Sequence, residues 1–401
     1  MLQLFNRPGF LILWATGALY GTMRWLEVLV VALYTFDQTG SPIAVAGIMF
    51  VRMLPMVLFG SFVGVIADRL DCKRLLLTGF SVLAIVAVVL ALLASADMLP
   101  LWVLTISVFV SGTVFSVDLT IRRMLLGEAA GMPMLGRALA LDSATGNATR
   151  MLGPLMGGTV YEALGLPGVY AFAAIIYTLM TVLFSRLSTP PRHAEAPSQP
   201  VMASMSDALR YVRGEHRIQA ILSITMIINI WAFPVSSMGP VIGRETMELS
   251  ASWVGFLASG EGAGSFAGAV LLSWLIHARY YIRVYVVGSI LFLACVTAFS
   301  ITPGLSSGWP TLVAGGLGVA GFAAMQPTLI MAFTDPAYRS RVMGLLTVCI
   351  GTGPIGILHL GLMAEWLGPT RAVMVMGLEG LFMIVLVIMM FPTLRQRGLE
   401  G

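Results

Sequence analysis

The chain has 401 residues, of which 58% are hydrophobic and 10% charged, with a mean hydropathy of +0.91. Soluble domains carry about 25% charged residues, so a water-soluble globule of this length is excluded and the missing polar surface must face lipid. The formal net charge of +4 arises from 23 Lys and Arg against 19 acids; the basic residues sit in short loops between apolar runs, a pattern of membrane orientation and not of nucleic-acid binding.

A spanning helix needs about 20 mostly apolar residues to cross about 30 Å of hydrocarbon. Twelve stretches meet that length: 9–35, 43–67, 75–96, 99–121, 136–163, 167–187, 217–242, 250–276, 282–301, 308–333, 341–364 and 371–391. The alternation of a transmembrane barrel is absent. The run after Arg7 is too long for a signal-peptide core and lacks a cleavage site, so it is expected to remain as the first span. Residues 188–216 interrupt the series. They begin polar and Pro/Ser-rich, then turn amphipathic, with Ala208, Leu209 and Val212 spaced for one helix face. We read this as a cytoplasmic linker and a short surface helix between two six-helix halves, 1–187 and 217–401.

The loops alternate in charge along the whole chain. Eighteen basic residues fall on one side and two, Arg244 and Arg371, on the other, while Arg24, Arg52 and Arg150 lie within spans. The positive-inside rule then places both termini and the linker in the cytoplasm. The halves also repeat: 162–165 read Glu-Ala-Leu-Gly and 365–368 read Glu-Trp-Leu-Gly. Parallel six-helix repeats around a central cavity are an architecture of secondary transporters.

The segment from Gly60 through Gly64 and Asp68 to Arg69, Asp71, Lys73 and Arg74 resembles the helix 2–3 signature of the major facilitator superfamily. The resemblance implies an all-α membrane protein of twelve transmembrane helices in two pseudo-symmetric halves, with Asp68, Arg69 and Arg74 acting in gating. A carboxylate at a membrane edge can cap a helix N-terminus. In the fifth span, Asn147-Ala-Thr-Arg150-Met-Leu-Gly153-Pro154-Leu-Met-Gly157-Gly158 resembles the core of the antiporter motif of superfamily exporters, without its upstream glycines. Gly permits close helix approach, and the eighth span offers Gly260, Gly262, Gly264 and Gly268, so spans five and eight are expected to pack on these faces.

Residues 120–126 (with Arg122 and Arg123), 136–158 and 333–344 resemble the branch of bacterial enterobactin exporters and related drug-efflux proteins. That resemblance implies secondary export of amphiphilic small molecules, of drug or siderophore type, driven by protons across a bacterial-type inner membrane. An importer or lipid-type flippase is the alternative on the same fold. The helix-four arginine motif of other proton antiporters is not evident in 111–118, Ser-Gly-Thr-Val-Phe-Ser-Val-Asp.

Ionisable residues inside a span cost at least about 2.5–3.5 kcal/mol at the centre and point to function. Arg24, Glu27, Asn147, Arg150, Asn229 and Glu261 are the candidates for proton coupling or the substrate cavity, with Glu27 or Glu261 exchanging a proton. Arg122, Asp142, Gly153, Pro154, Gly157 and Gly158 are candidates for gating. The competing reading is static packing through Arg24–Glu27 and Arg150–Asp142 pairs. Trp14, Tyr20, Trp25, Trp231 and Phe233 could contact a flat amphiphile. Glu379, between Gly377 and Gly380, has no assigned role. The three Cys form no paired motif and the four His share no ligand spacing, so no disulfide, metal or cofactor is expected. No phosphate-binding loop of the Walker type is present, against an enzyme or an ATP-driven pump. Membrane lipids, a small substrate and protons are the expected partners of a chain that suffices as a monomer.

Overall fold

A computed structural model describes residues 2–69, 71–187 and 201–395, with side chains left out at 2–3, 8, 60–69, 132, 201–204 and 395. The described residues are helical and contain no strand. After one turn at Leu2–Phe5 come α1 (Pro8–Thr39), α2 (Pro42–Arg69), α3 (Cys72–Ser95), α4 (Leu101–Ala130) and α5 (Leu135–Ser185). Then follow α6 (Val201–Gly214), α7 (His216–Ile227), α8 (Val235–Glu245), α9 (Ala251–Leu275), α10 (Tyr281–Phe299), α11 (Leu305–Phe333), α12 (Arg339–Ile350), α13 (Gly353–Leu367) and α14 (Pro369–Met390).

Ten helical stretches among the described residues are long and apolar enough to cross a membrane. Two further crossings complete the twelve. One is α1, which carries Arg24 and Glu27 in its middle. The other is the second arm of the 51-residue α5, which breaks at Gly165 (φ +64°, ψ −170°), a left-handed backbone that favours glycine. Exposed apolar side chains such as Ile85, Leu92, Ile175, Leu179, Phe382 and Met389 supply lipid-facing surface, and Trp102, Trp274 and Trp366 lie at helix ends in the manner of interfacial aromatic belts.

Two predicted spans are interrupted. Residues 217–242 contain a π-helical turn at Ile228–Ala232, where the Phe233 N–H reaches back five residues to the Ile228 carbonyl (3.1 Å). Pro234 follows and has no N–H for the Ile230 carbonyl, a recognised cause of local widening. Residues 341–364 break at Gly351–Thr352 between α12 and α13.

The chain divides into two compact units. The first comprises Met1–Gln38, Ile48–Pro197 and Ser250–Ser259; the second comprises Thr39–Gly47, Ser198–Leu249 and Gly260–Gly401. Unit one centres on α3 packed along α5, and unit two on α10 packed along α11 and α14. The surface helix α6 belongs to unit two and packs on α12. Its Tyr211 ring stacks on Tyr338 (4.4 Å between centroids) and Asp207 pairs with Arg341 (3.5 Å). Ala208 and Val212 are buried there, but Leu209 is exposed. The expected three-residue face is therefore narrower: Ala208 and Val212, four residues apart, share one side of the helix, and Leu209 points away from it.

Candidate functional site

In unit one, α1 presents Glu27 to a polar pocket. Its Oε1 accepts from the Tyr177 hydroxyl (2.8 Å) and its Oε2 from the Ser111 hydroxyl (3.2 Å). The Arg52 guanidinium lies 4.0 Å from Oε2 and also donates to the Arg24 carbonyl (3.3 Å). Glu27 and Arg52 are both buried. A cavity of about 20 Å³ adjoins Glu27, walled by Ser107, Ser111, Tyr170, Tyr177 and apolar residues of α3. That is room for about one water.

The Arg24–Glu27 ion pair of the static-packing reading does not form. Arg24 turns to aromatic faces instead, 3.7 Å from the Phe115 centroid and 4.8 Å from that of Trp25. Arg150 approaches the same Trp25 ring at 4.9 Å, and Asn147 lies half-buried one turn before it. Cation–π contact holds a guanidinium where water is scarce. The indole of Trp25 is thus shared by two cations, a role that periodicity alone could not assign.

A second buried cluster lies on α4 and α5. Arg122 bonds Asp118 (3.1 Å) and Asp142 (2.5 Å), and Arg123 lies 3.8 Å from Asp142. Asp142 therefore pairs with Arg122 and Arg123, and not with Arg150 as the static-packing reading has it. Helical spacing put Arg150 two turns from Asp142, whereas the α4–α5 turn brings Arg122 alongside. Gly17 of α1 makes space for Arg122, since a Cβ there would meet the guanidinium carbon at 2.8 Å. The Tyr20 hydroxyl, Asp118 Oδ1 and Arg52 Nη1 are buried without a hydrogen-bond partner, a state that few buried polar groups are left in.

The glycine motif of α5 serves two neighbours. Gly153 and Gly157 admit the α1 backbone at Thr22–Leu26, while Gly158 meets Ala251 and Gly255 at the start of α9. The expected partner face is corrected: Gly260, Gly264 and Gly268 pack on α11, against Trp309, Val313, Gly316, Leu317 and Ala320. The pairing with the early residues of α9 follows from length, because Gly158 lies near the end of its span and can reach only the beginning of α9.

The repeat at the helix ends is longer than its two acidic tetrapeptides. Gly158-x-x-x-Glu162-x-Leu-Gly165 recurs as Gly361-x-x-x-Glu365-x-Leu-Gly368. In unit one Glu162 accepts from the Ser250 hydroxyl (2.6 Å) and the Ser252 N–H (2.7 Å), capping α9. In unit two Glu365 accepts from the Ser41 hydroxyl (3.4 Å), just ahead of α2, and Gly361 packs on Ala46. Gly158 and Glu162 thus address the first turns of α9 as Gly361 and Glu365 address those of α2.

Of the gating candidates at the other end, the side chains of Asp68 and Arg69 lie outside the described residues. Arg74 is exposed and pairs with Asp71 (3.4 Å). Asp71, not assigned a role from the sequence, caps α3 by accepting from the Lys73 and Arg74 N–H groups (2.9 and 3.2 Å).

Unit two buries neutral polar groups. Gln326 donates to the Thr225 hydroxyl oxygen (3.0 Å), which lies 3.0 Å from the Tyr285 hydroxyl, and Asn229 donates to the Thr225 carbonyl (2.9 Å). Phe233 packs edge-on to Phe292 and Phe322. Glu261 is half-buried, and its carbonyl abuts Gly316. Among the described residues no cluster of three metal-ligating side chains occurs, and the three Cys are unbridged.

This arrangement of apolar spans with a few buried, paired charges is that of a membrane transporter. The fold matches a nucleoside transporter (TM-score 0.74, 13% identical, covering 96% of this chain and 100% of that one). It also matches a bacterial homologue of the human lysosomal transporter Spinster, in an inward-facing and unoccupied conformation (TM-score 0.72, 14% identical, 96% of each chain). These likenesses establish the major facilitator fold. The sequence model of transmembrane secretion effectors matches residues 2–398, and the chain belongs to that family of major facilitator transporters.

Curated relatives agree in class. An uncharacterised transporter of the superfamily from Bacillus subtilis is 24% identical, over 93% of this chain and 90% of its own length. Macrolide efflux protein A of Streptococcus pyogenes is 21% identical over 90% of each. The staphyloferrin A transporter of Staphylococcus aureus is 20% identical, over 82% of this chain and 83% of its own. The chain is therefore a multi-pass membrane transporter and not an enzyme.

Proposed function

We propose that the chain exports amphiphilic small molecules by proton antiport, through alternating access. The observation that carries this reading is the setting of Glu27: a membrane-buried carboxylate held by two hydroxyls, beside space for about one water. Hydroxyls both donate and accept, so Tyr177 and Ser111 can serve the ionised acid and the protonated one alike. Arg24 and Arg150, gathered around Trp25, are the groups we assign to substrate contact. The names of the macrolide and staphyloferrin relatives support an amphiphilic or siderophore-type cargo.

We assign Asp68, Arg69, Arg74 and the Asp118–Arg122–Asp142 cluster to the cytoplasmic gate, with Glu162 and Glu365 at the outer helix ends. Cytoplasmic termini, two six-helix halves joined by residues 188–216, a monomeric unit and a bacterial inner-membrane location complete the reading. In inverted vesicles, a panel including a macrolide and a siderophore should show accumulation that an uncoupler abolishes. Glu27→Gln should lose that gradient dependence by at least about tenfold, the scale of a 1.4 kcal/mol change. Full gradient-driven transport in Glu27→Gln would remove Glu27 as carrier, and uncoupler-insensitive movement of every substrate would favour the importer or flippase.

A further inference from the structure

Glu379, to which the mechanism above gives no part, is the middle residue of a bonded triad in unit two. It lies halfway along the 22-residue α14, about 15 Å from either end at 1.5 Å per residue. Its Oε2 accepts from the Trp231 indole N–H (2.9 Å) and lies 3.0 Å from His359 Nε2. The three side chains come from three elements: the π-helical turn, α13 and α14. Their positions are built by small residues. A Cβ on Gly380 would meet the Trp231 Cβ at 2.9 Å, and one on Gly356 would strike the Ile230 carbonyl of the same turn. The widened turn is thus wedged between two glycines, which aims its indole at the carboxylate.

The side chains of His359 and Glu379 are 42% and 38% exposed. Among the described residues, no other charged or titratable side chain bonds the pair. Tyr281, Arg283, Tyr285 and Cys295 of α10, His216 and Arg217 of α7, Arg244 and Glu245 of α8 and Glu365 of α13 lie on elements packed against α14, and Arg371 lies on α14 itself. None of them bonds either residue.

An unpaired carboxylate halfway through a bilayer is costly, and an imidazole is the side chain that changes charge between about pH 5 and 8. We infer that His359 and Glu379 form a proton-binding site of unit two, with Trp231 as its fixed donor. Uptake of one proton from water converts imidazole and carboxylate, net charge −1, into either imidazolium–carboxylate or imidazole–carboxylic acid, both neutral. Release returns the proton to water. Trp231 lies two residues beyond Asn229, whose amide bonds the Thr225 carbonyl, so the protonation state is linked through one π-helical turn to the polar network on α7, α10 and α11. The part this site has in transport rests on the antiport reading; its binding of a proton does not.

The test uses the full chain in lipid nanodiscs without substrate. Tryptophan emission is followed across about pH 5–8 and compared with Trp231→Phe. The expected result is a titration carried by Trp231, lost in Glu379→Gln and shifted in His359→Gln. Glu379→Asp, which keeps a carboxyl group, should retain a displaced titration and so controls for folding. A flat titration, or one unchanged in Glu379→Gln, overturns the site. In vesicles, Glu379→Gln should also lose gradient-driven macrolide efflux. A wild-type titration without any gradient-driven efflux would sustain the site and overturn the antiport reading.

Discussion

The two units share an architecture and differ in what they bury. Every buried charged residue among the described residues (Glu27, Arg52, Asp118 and Asp142) belongs to unit one. Unit two buries the neutral Thr225, Asn229 and Gln326 and keeps its two mid-span acids, Glu261 and Glu379, only partly buried. Neutral networks hold their geometry at any pH near neutrality, whereas buried charges depend on staying paired. Among their buried polar groups, paired charges therefore hold the first unit where neutral hydrogen bonds hold the second.

The comparison can be broken most severely at Arg122. Arg122→Ala leaves Asp118 and Asp142 facing each other with a buried carboxylate uncompensated, at a cost of about 3–5 kcal/mol. Thermal unfolding in detergent should show that loss, or the protein should fail to accumulate. Asp142→Asn restores part of the balance, so the double variant should be more stable than Arg122→Ala alone. If both variants melt like the wild type, the cluster does not hold α4 to α5.

The glycine repeat gives the next test. A methyl at Gly158 meets the Gly255 Cα at 3.0 Å and the Ala251 backbone, and one at Gly361 strikes the Ala46 Cβ, which is as rigid as the backbone that carries it. Gly158→Ala and Gly361→Ala should therefore each cost about 1–3 kcal/mol in the same melting assay. A loss at one position alone would show that only that contact is tight in the membrane.

The smallest effect separates the two acids of the repeat. Glu162 accepts two short bonds at the α9 N-terminus and Glu365 one long bond. Removing the first by Glu162→Ala should cost about 1 kcal/mol, as loss of a helix cap does. Glu365→Ala should stay within about 0.5 kcal/mol, as at most exposed positions. The reverse ranking would show that the Ser41 contact is the tighter one in the membrane.

Much of the fold was legible before any coordinates. Apolar run length, the alternation of basic loops and the Glu-x-Leu-Gly repeat depend only on local composition, and lipid imposes that composition on each span separately. The helix 2–3 signature and the glycine motif likewise pointed to the family. The site was legible as a set of residues but not as a set of bonds. Arg24 and Glu27 sit three residues apart on one helix and still choose different neighbours, Phe115 and Trp25 for one, Tyr177 and Ser111 for the other. His359 carried no signal, because its partner is twenty residues away on another helix.

The sequence by itself determined that this chain crosses the membrane repeatedly, in two related halves, with a few ionisable residues that lipid alone would not tolerate. Only the tertiary structure decided how each of them is satisfied. The reason is physical: hydropathy is a property of one helix, but a buried charge is stabilised by whatever a neighbouring helix brings within about 4 Å. Helix rotation, glycine-permitted approach and one π-helical turn set those neighbours, and none of them can be read from a single span.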